Sequence, residues 1–253
     1  MMLDLQKAGL WKRTAAWMFD GILVCILAVG LGVLLSLLLG YDGYSDTMDA
    51  AYAQYESAYG VTFDISRGEY DGLSQEQRQA YDDAYAALTA DQDAMYAYNM
   101  MISLTMLITT AAIFLAVLVM EFLLPLLLGN GQTLGKKIFS LCLVRNDGVQ
   151  VNPLQLFART VLGKFTIETM VPVYLLMMLF WGTAGLWGTV ALMGLMVVEI
   201  LCLSLSRTNS AIHDYLAGTV VVDMGSQMIF RSTEDLISWK KKIAADNAAR
   251  QSY

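Results

Sequence analysis

Four stretches of this chain are apolar for longer than a soluble helix requires: Ala15–Leu39, Met100–Leu128, Phe165–Trp181 and Leu186–Leu205. A bilayer core about 30 Å thick is crossed by about 20 residues of helix, so each stretch is expected to span a membrane. The last two come from one run. Between Lys164 and Arg207 lie 42 residues whose only charges are Glu168 and Glu199. As a single helix that run would reach roughly 63 Å, twice the core, so it must fold back. The small-residue stretch FWGTAGLWG at 180–188 supplies the turn. Trp181 and Trp187 flank it as interfacial aromatics.

Between the first two spans the pattern turns polar. Tyr41 to Asn99 holds twelve acidic residues and ten of the thirteen tyrosines. Tyr52, Tyr55 and Tyr59 share one helical face, as do Tyr81, Tyr85 and Leu88, and Ser74 to Gln77 has capping-box spacing. The segment reads as an extracytoplasmic helical hairpin with a tyrosine-lined seam, its second helix leading toward the second span. A solvated acidic cap and a cation-attracting vestibule or partner platform are both open, and no EF-hand pattern is present.

After the second span, GNGQTLGKK departs from the phosphate-binding loop G-x-x-x-x-G-K-[ST]: Asn130 stands five residues before Gly135, and Lys137 occupies the hydroxyl position. The following IFSLCLVRNDGVQVN predicts a short β-hairpin around Asn-Asp-Gly. Asn152 and Pro153 then open a helix with an apolar stripe of Leu154, Phe157, Ala158, Val161, Leu162 and Phe165. That helix is expected to lie along the membrane interface, with Arg159 and Lys164 snorkelling, before the chain turns into the third span. Thr219–Asp223 can pair with 140–145 as a small sheet. Ser232 can cap a final helix whose Leu236, Trp239 and Ile243 lie beside Lys240, Lys241 and Lys242. Such a helix suits an anionic membrane surface or solvent equally. The organisation is therefore 1–39 (N-terminus and first span), 40–99 (acidic insert), 100–128 (second span), 129–164 (hairpin and interfacial helix), 165–205 (third and fourth spans) and 206–253 (strand and basic tail helix). The fold class is an all-α membrane protein with four transmembrane helices, a small cytoplasmic β element and an extracytoplasmic helical hairpin.

Composition agrees: 57% of residues are hydrophobic and 15% charged, where soluble domains carry about 25% charged residues. The net charge of -7 reflects mainly the acidic insert. Lys and Arg number three before the first span, two in the insert, five between the second and third spans and six after the fourth. The positive-inside rule thus places both termini and the 129–164 segment in the cytoplasm. Ala15–Leu39 is too long for a signal-peptide core and is read as a retained anchor. The three cysteines, Cys25, Cys142 and Cys202, make no disulfide framework and are read as reduced packing residues.

Chemistry concentrates on charges within or beside the spans. Asp20 lies inside the first span, where a carboxylate costs roughly 2.5–3.5 kcal/mol and needs a partner. Arg13 is seven residues earlier on the same face. The readings for Asp20 are an ion or proton site and a structural ion pair holding the first span. Glu121 and Glu199 lie inside the second and fourth spans with no cation within a helical turn. His213, the single histidine, is read as a hydrogen-bonding residue, with Asp214 beside it, and Glu168 is expected to pair with Lys164. No catalytic Ser/His arrangement, metal-ligand cluster, cofactor motif or nucleic-acid surface is expected, so an enzyme is the poorest reading.

Arg13 at the mouth of the first span, Asp20 within it, GQTLGKKIFSLCLVRNDG at 131–148 and HDYLAGTVVV at 213–222 together resemble the RDD family of bacterial membrane proteins, named for an arginine and two aspartates. The resemblance covers 8–39 and 118–224 and carries the three names onto Arg13, Asp20 and Asp214. The long acidic insert and a fourth span depart from the simplest family pattern. The resemblance implies a multi-pass protein of a bacterial plasma membrane, with cation/proton exchange suggested for some members. On a transport reading Asp20 carries the exchanging charge, tuned by Arg13. Glu121 and Glu199 relay or coordinate a cation or proton, Asp214 anchors the inner gate, and a homodimer is expected because four spans make a thin wall. The alternative is a non-transporting assembly or signalling partner.

Overall fold

The computed structural model describes residues 8–129, 131–183, 185–205 and 210–251. Lys7, Asn130, Ala184 and Arg207, used above for charge or turn assignments, lie outside the described residues. The chain is mostly helical, in the order α1 (Leu10–Leu39), α2 (Tyr41–Tyr59), α3 (Arg67–Gly72), α4 (Gln75–Ala90), α5 (Gln92–Leu128), α6 (Leu134–Ile138), β1 (Leu141–Arg145), α7 (Pro153–Phe180), α8 (Gly185–Leu205), α9 (Ile212–Ala217), β2 (Thr219–Asp223) and α10 (Thr233–Gln251). Helices α1, α5, α7 and α8 are long and apolar enough to cross a membrane. Contacts divide the chain into two compact units, one running up to Leu27 and resuming at Ile113, the other Ala28–Ala112.

The first unit is organised on a two-stranded sheet. β1 and β2 run antiparallel with Cys142 opposite Val222 and Val144 opposite Val220. An isolated two-stranded ribbon is marginal in water, so its survival depends on cover for both faces. One face, carrying Leu141, Leu143 and Val221, packs with Ala8, Ala16 and Leu156. On the other face Cys142, Val144, Val220 and Val222 pack with Ile229. Burial, then Asp223, pushes the Cys142 thiol up to about 12, as suits a packing residue. The expected Asn-Asp-Gly hairpin is reduced to a tight turn. Gly148 N–H donates to the Arg145 carbonyl at 3.0 Å, and the returning segment meets β1 through the isolated Val144–Gln150 bridge while Val149 bridges Phe230. The better partner for β1 is distant β2, whose valines cover apolar side chains that a local return cannot.

Two further expectations are corrected. The segment opened by Asn152 and Pro153 is not a separate interfacial helix: it continues without a turn to Phe180. Its Asn152–Gln155 capping box is formed as the spacing predicts. Over Ala158–Met170 the helix is widened to π geometry, with Thr166 Oγ1 and Thr169 Oγ1 donating to carbonyls five residues back. In α10, Leu236 and Trp239 do not form a membrane-facing stripe. Leu236 packs with Phe230 and Val149, and Trp239 stacks on Phe230 at 5.4 Å.

In the second unit, α2 packs against α4. The Ser74–Gln77 capping box starts α4, and Ser66–Glu69 forms another at α3. The seam is Met48, Ala51, Leu88 and Ala94, with Tyr55, Phe63 and Met101 against them. Of the expected tyrosine seam, Tyr52 and Tyr81 flank Phe63 in ring contacts, though Tyr52, like Tyr59 and Tyr85, stays exposed. Asp91 breaks α4 from α5, accepting from the Asp93 and Ala94 amides and from the Tyr55 hydroxyl.

Helix α9 packs most closely on the widened part of α7, at Gly163. A Cβ there would stand 2.6 Å from His213 Cβ and 2.7 Å from its Cα, so only glycine lets the two backbones approach. Gly163→Val should therefore destabilise the protein by about 1–3 kcal/mol through overpacking. Gly194→Ala, with nothing within 4 Å of the added Cβ, should be neutral or slightly stabilising. Thermal unfolding in detergent compares the two.

Candidate functional site

Asp214, 1% exposed, is a heavily partnered charge of the first unit. Arg159 Nε donates to its Oδ1 at 2.9 Å, Arg13 Nη2 to its Oδ2 at 3.2 Å, and Thr219 Oγ1 to Oδ1 at 3.2 Å. Burial by itself would raise this carboxyl, but the Arg159 and Arg13 guanidiniums hold it well below its ordinary value. One carboxylate thus joins α1, α7, α9 and the first residue of β2. Arg159 does not snorkel as expected, because a planar donor fork buried against a carboxylate is worth more here than its hydration.

His213 extends the network. Arg159 Nη2 lies 2.7 Å from Nε2, and Glu168 Oε2 lies 2.5 Å from Nδ1. A guanidinium can only donate, so Nε2 carries the lone pair and Nδ1–H donates to Glu168: the imidazole is neutral. Burial, then the Arg159 charge, lowers the His213 pKa, in agreement. Nε2 then has no proton to offer Asp214 Oδ1, 3.6 Å away. The second Glu168 oxygen accepts the His213 backbone N–H at 2.8 Å. The expected Lys164–Glu168 pair is therefore not made.

Lys164 instead reaches Glu121, forming a buried ion pair between α7 and α5. Five residues separate Arg159 from Lys164, and five more Lys164 from Thr169. Helical 3.6 spacing scatters these positions, whereas the widened stretch, with its five-residue bonding, brings all three to one cavity. Glu121 itself sits in a second π segment, Leu118–Leu123. Pro125 has no N–H to give the Glu121 carbonyl four residues back, and Thr160 Oγ1 donates to that carbonyl at 3.1 Å. Glu121 Oε2 is buried without a hydrogen-bond partner among the described residues.

Asp20, 3% exposed, is not the partner of Arg13. Its Oδ2 accepts from Thr133 Oγ1 at 2.5 Å and its Oδ1 from the Gly135 amide at 2.7 Å. Thr133 also caps α6 by accepting the Lys136 amide. The motif that fails as a phosphate loop thus uses its hydroxyl and glycine amide to hold a side chain from α1. A Cβ on Gly135 would collide with the Ala16 carbonyl and stand 2.9 Å from Asp20 Cγ, which accounts for glycine at that position.

These groups surround a cavity of about 520 Å3. Of the residues singled out from sequence, Arg13, Asp20, Glu199 and His213 line it, together with Lys136, Arg159, Lys164 and Glu168. Glu121 and Asp214 stand behind this wall as partners of the lining cations. Among the described residues Glu199 accepts only a long contact, 3.4 Å, from the Ile212 amide. Thr133, Gly135 and Lys136 carried a sequence signal, an incomplete phosphate motif, but not one that pointed to Asp20.

A family model described as the RDD family matches residues 7–218. The chain belongs to the RDD family. No curated protein and no solved structure matches it. In this RDD-family membrane protein Arg13, Asp20 and Asp214 do not form one triad: Arg13 and Asp214 pair directly, and Asp20 is held separately.

Removing the Asp214 charge leaves Arg13 and Arg159 without their common carboxylate, so Asp214→Asn should cost about 3–5 kcal/mol. Denaturation of the purified protein in detergent measures this. Acid should act in the same direction. The folded protein disfavours protonation of His213, ordinarily near 6.5, and of Asp214, ordinarily near 3.8. Both sites bind fewer protons folded than unfolded, so stability rises with pH through those ranges. Thermal midpoints should fall once pH drops below about 6.5, and further below 3.8, where the unfolded chain takes up a proton at Asp214 that the folded protein resists. A midpoint constant from pH 7 to 4 would contradict the neutral imidazole.

Proposed function

We propose that this RDD-family protein is a transporter that exchanges a cation for protons, with the charged cavity of the first unit as the working site. The observation that carries this reading is the gathering of Asp20, Glu168 and Glu199 around one space between apolar helices. Ionisable groups at such positions are costly and commonly mark ion pathways or proton relays. Both oxygens of Asp20 are engaged at short distance, so we assign the exchanging charge to Glu199, which among the described residues has only its long amide contact. Arg13, Arg159 and Asp214 frame the site, while Glu121 and Lys164 brace the wall. In this proposal the membrane is a bacterial plasma membrane, both termini and the sheet are cytoplasmic and the acidic insert is outside, as the Lys/Arg distribution favours. Four spans make a thin wall, and a homodimer would complete it.

A non-transporting assembly role is favoured by a different observation: Arg13, Asp20 and Asp214 all end on protein groups, as structural locks do. A stoichiometric membrane partner lost on deleting 41–99 would support that role.

In liposomes carrying a pH-sensitive dye, sodium or potassium pulses should drive proton movement through the wild type, and Glu199→Gln should abolish it while leaving the thermal midpoint unchanged. Wild-type flux no greater than that of Glu199→Gln would overturn the exchange reading.

A further inference from the structure

Lys136 is 8% exposed and lines the cavity, yet its ammonium takes no hydrogen bond or ion pair among the described residues. The other lining cations are committed: Arg13 and Arg159 to Asp214, Lys164 to Glu121. Glu121 and Asp20 face it without bonding to it, and an ammonium removed from water with no anion paired to it is costly, by several kcal/mol in general. The same cavity has an apolar side formed by Trp17, Pro172, Leu195, Met196, Ile200 and Leu203. A volume of about 520 Å3 is in the range that encloses a small organic ligand.

We infer that the cavity binds an amphipathic monoanion, a lipid-type phosphate or carboxylate headgroup on Lys136 with its hydrocarbon against Leu195, Ile200 and Leu203. This goes beyond the exchange reading and does not depend on it, because binding needs no gradient. A single charge is favoured since one ammonium awaits an anion while Glu168 and Glu199 stand on the same wall. Lys136 is faced by Arg159 and Lys164 from α7, by Glu121 from α5 and by Asp20 from α1. Burial, then Arg159, brings its pKa down to about 8, so the headgroup should be released as pH rises through that value.

Native mass spectrometry of the full chain in detergent tests this with four probes: phosphatidylglycerol, palmitate, phosphatidylcholine and inorganic phosphate. One phosphatidylglycerol or palmitate should be retained per chain, at least tenfold more tightly than phosphatidylcholine, and whichever is retained identifies a membrane lipid or a free fatty acid as the source. Lys136→Gln should weaken retention at least tenfold and Lys136→Arg should restore it. Leu195→Trp, which fills the apolar side and leaves every charge in place, should also weaken it. Equal binding of inorganic phosphate would overturn the amphipathic assignment. Retention unchanged in both Lys136→Gln and Leu195→Trp would overturn the site, leaving Lys136 to be satisfied by water shared with Glu121. Flux in liposomes is unaffected by either of those outcomes, so failure here and failure of the exchange reading are separable.

Discussion

The buried Asp214 carboxylate is the constraint on which the first unit depends. Two guanidiniums from different helices, Arg13 and Arg159, converge on it. In an environment with little water, three charges of unequal number hold together only with further donors and acceptors placed around them. Thr219 supplies one such donor from β2, and His213 accepts from the remaining face of Arg159. The short α9 therefore sits where charge neutralisation requires it, and Gly163 removes the side chain that would keep it away.

The widened stretch of α7 follows from the same demand. A regular helix would carry Arg159, Lys164 and Thr169 to different sides, one of them facing lipid. With bonding over five residues, Arg159 reaches Asp214 while Lys164 reaches Glu121, and both still border one cavity. Local π geometry gives up some regularity of backbone hydrogen bonding, and here threonine hydroxyls and two strong ion pairs accompany it. Asp20 obeys a different rule. Its charge is met by a hydroxyl and a backbone amide rather than a cation, which leaves the cavity with one more cation than its ion pairs use.

Much of the architecture was readable because it rests on local pattern. The four long apolar helices, the capping boxes at Ser74 and Asn152, the Ser232 cap and the β1–β2 pairing all follow from spacing and composition over a few residues. An interfacial helix is what the pattern predicts, because a polar start at Asn152 and charges at 159 and 164 look the same whether those charges reach water or a partner. Four-residue spacing predicts a Glu168–Lys164 pair, and the widened helix does not keep that spacing.

The partners of the charges were beyond reach for a physical reason. Electrostatic pairing acts through space, and Asp214 lies 201 positions from Arg13 and 55 from Arg159. What the sequence by itself determined is which segments are apolar enough to leave water, since transfer free energy is summed residue by residue along the chain. Only the tertiary structure decided which charge answers which, and that the Lys136 ammonium lines the cavity near Glu121 and Asp20 with no ion pair among the described residues. Those outcomes depend on where the helices come together, not on how far apart their residues are in the chain.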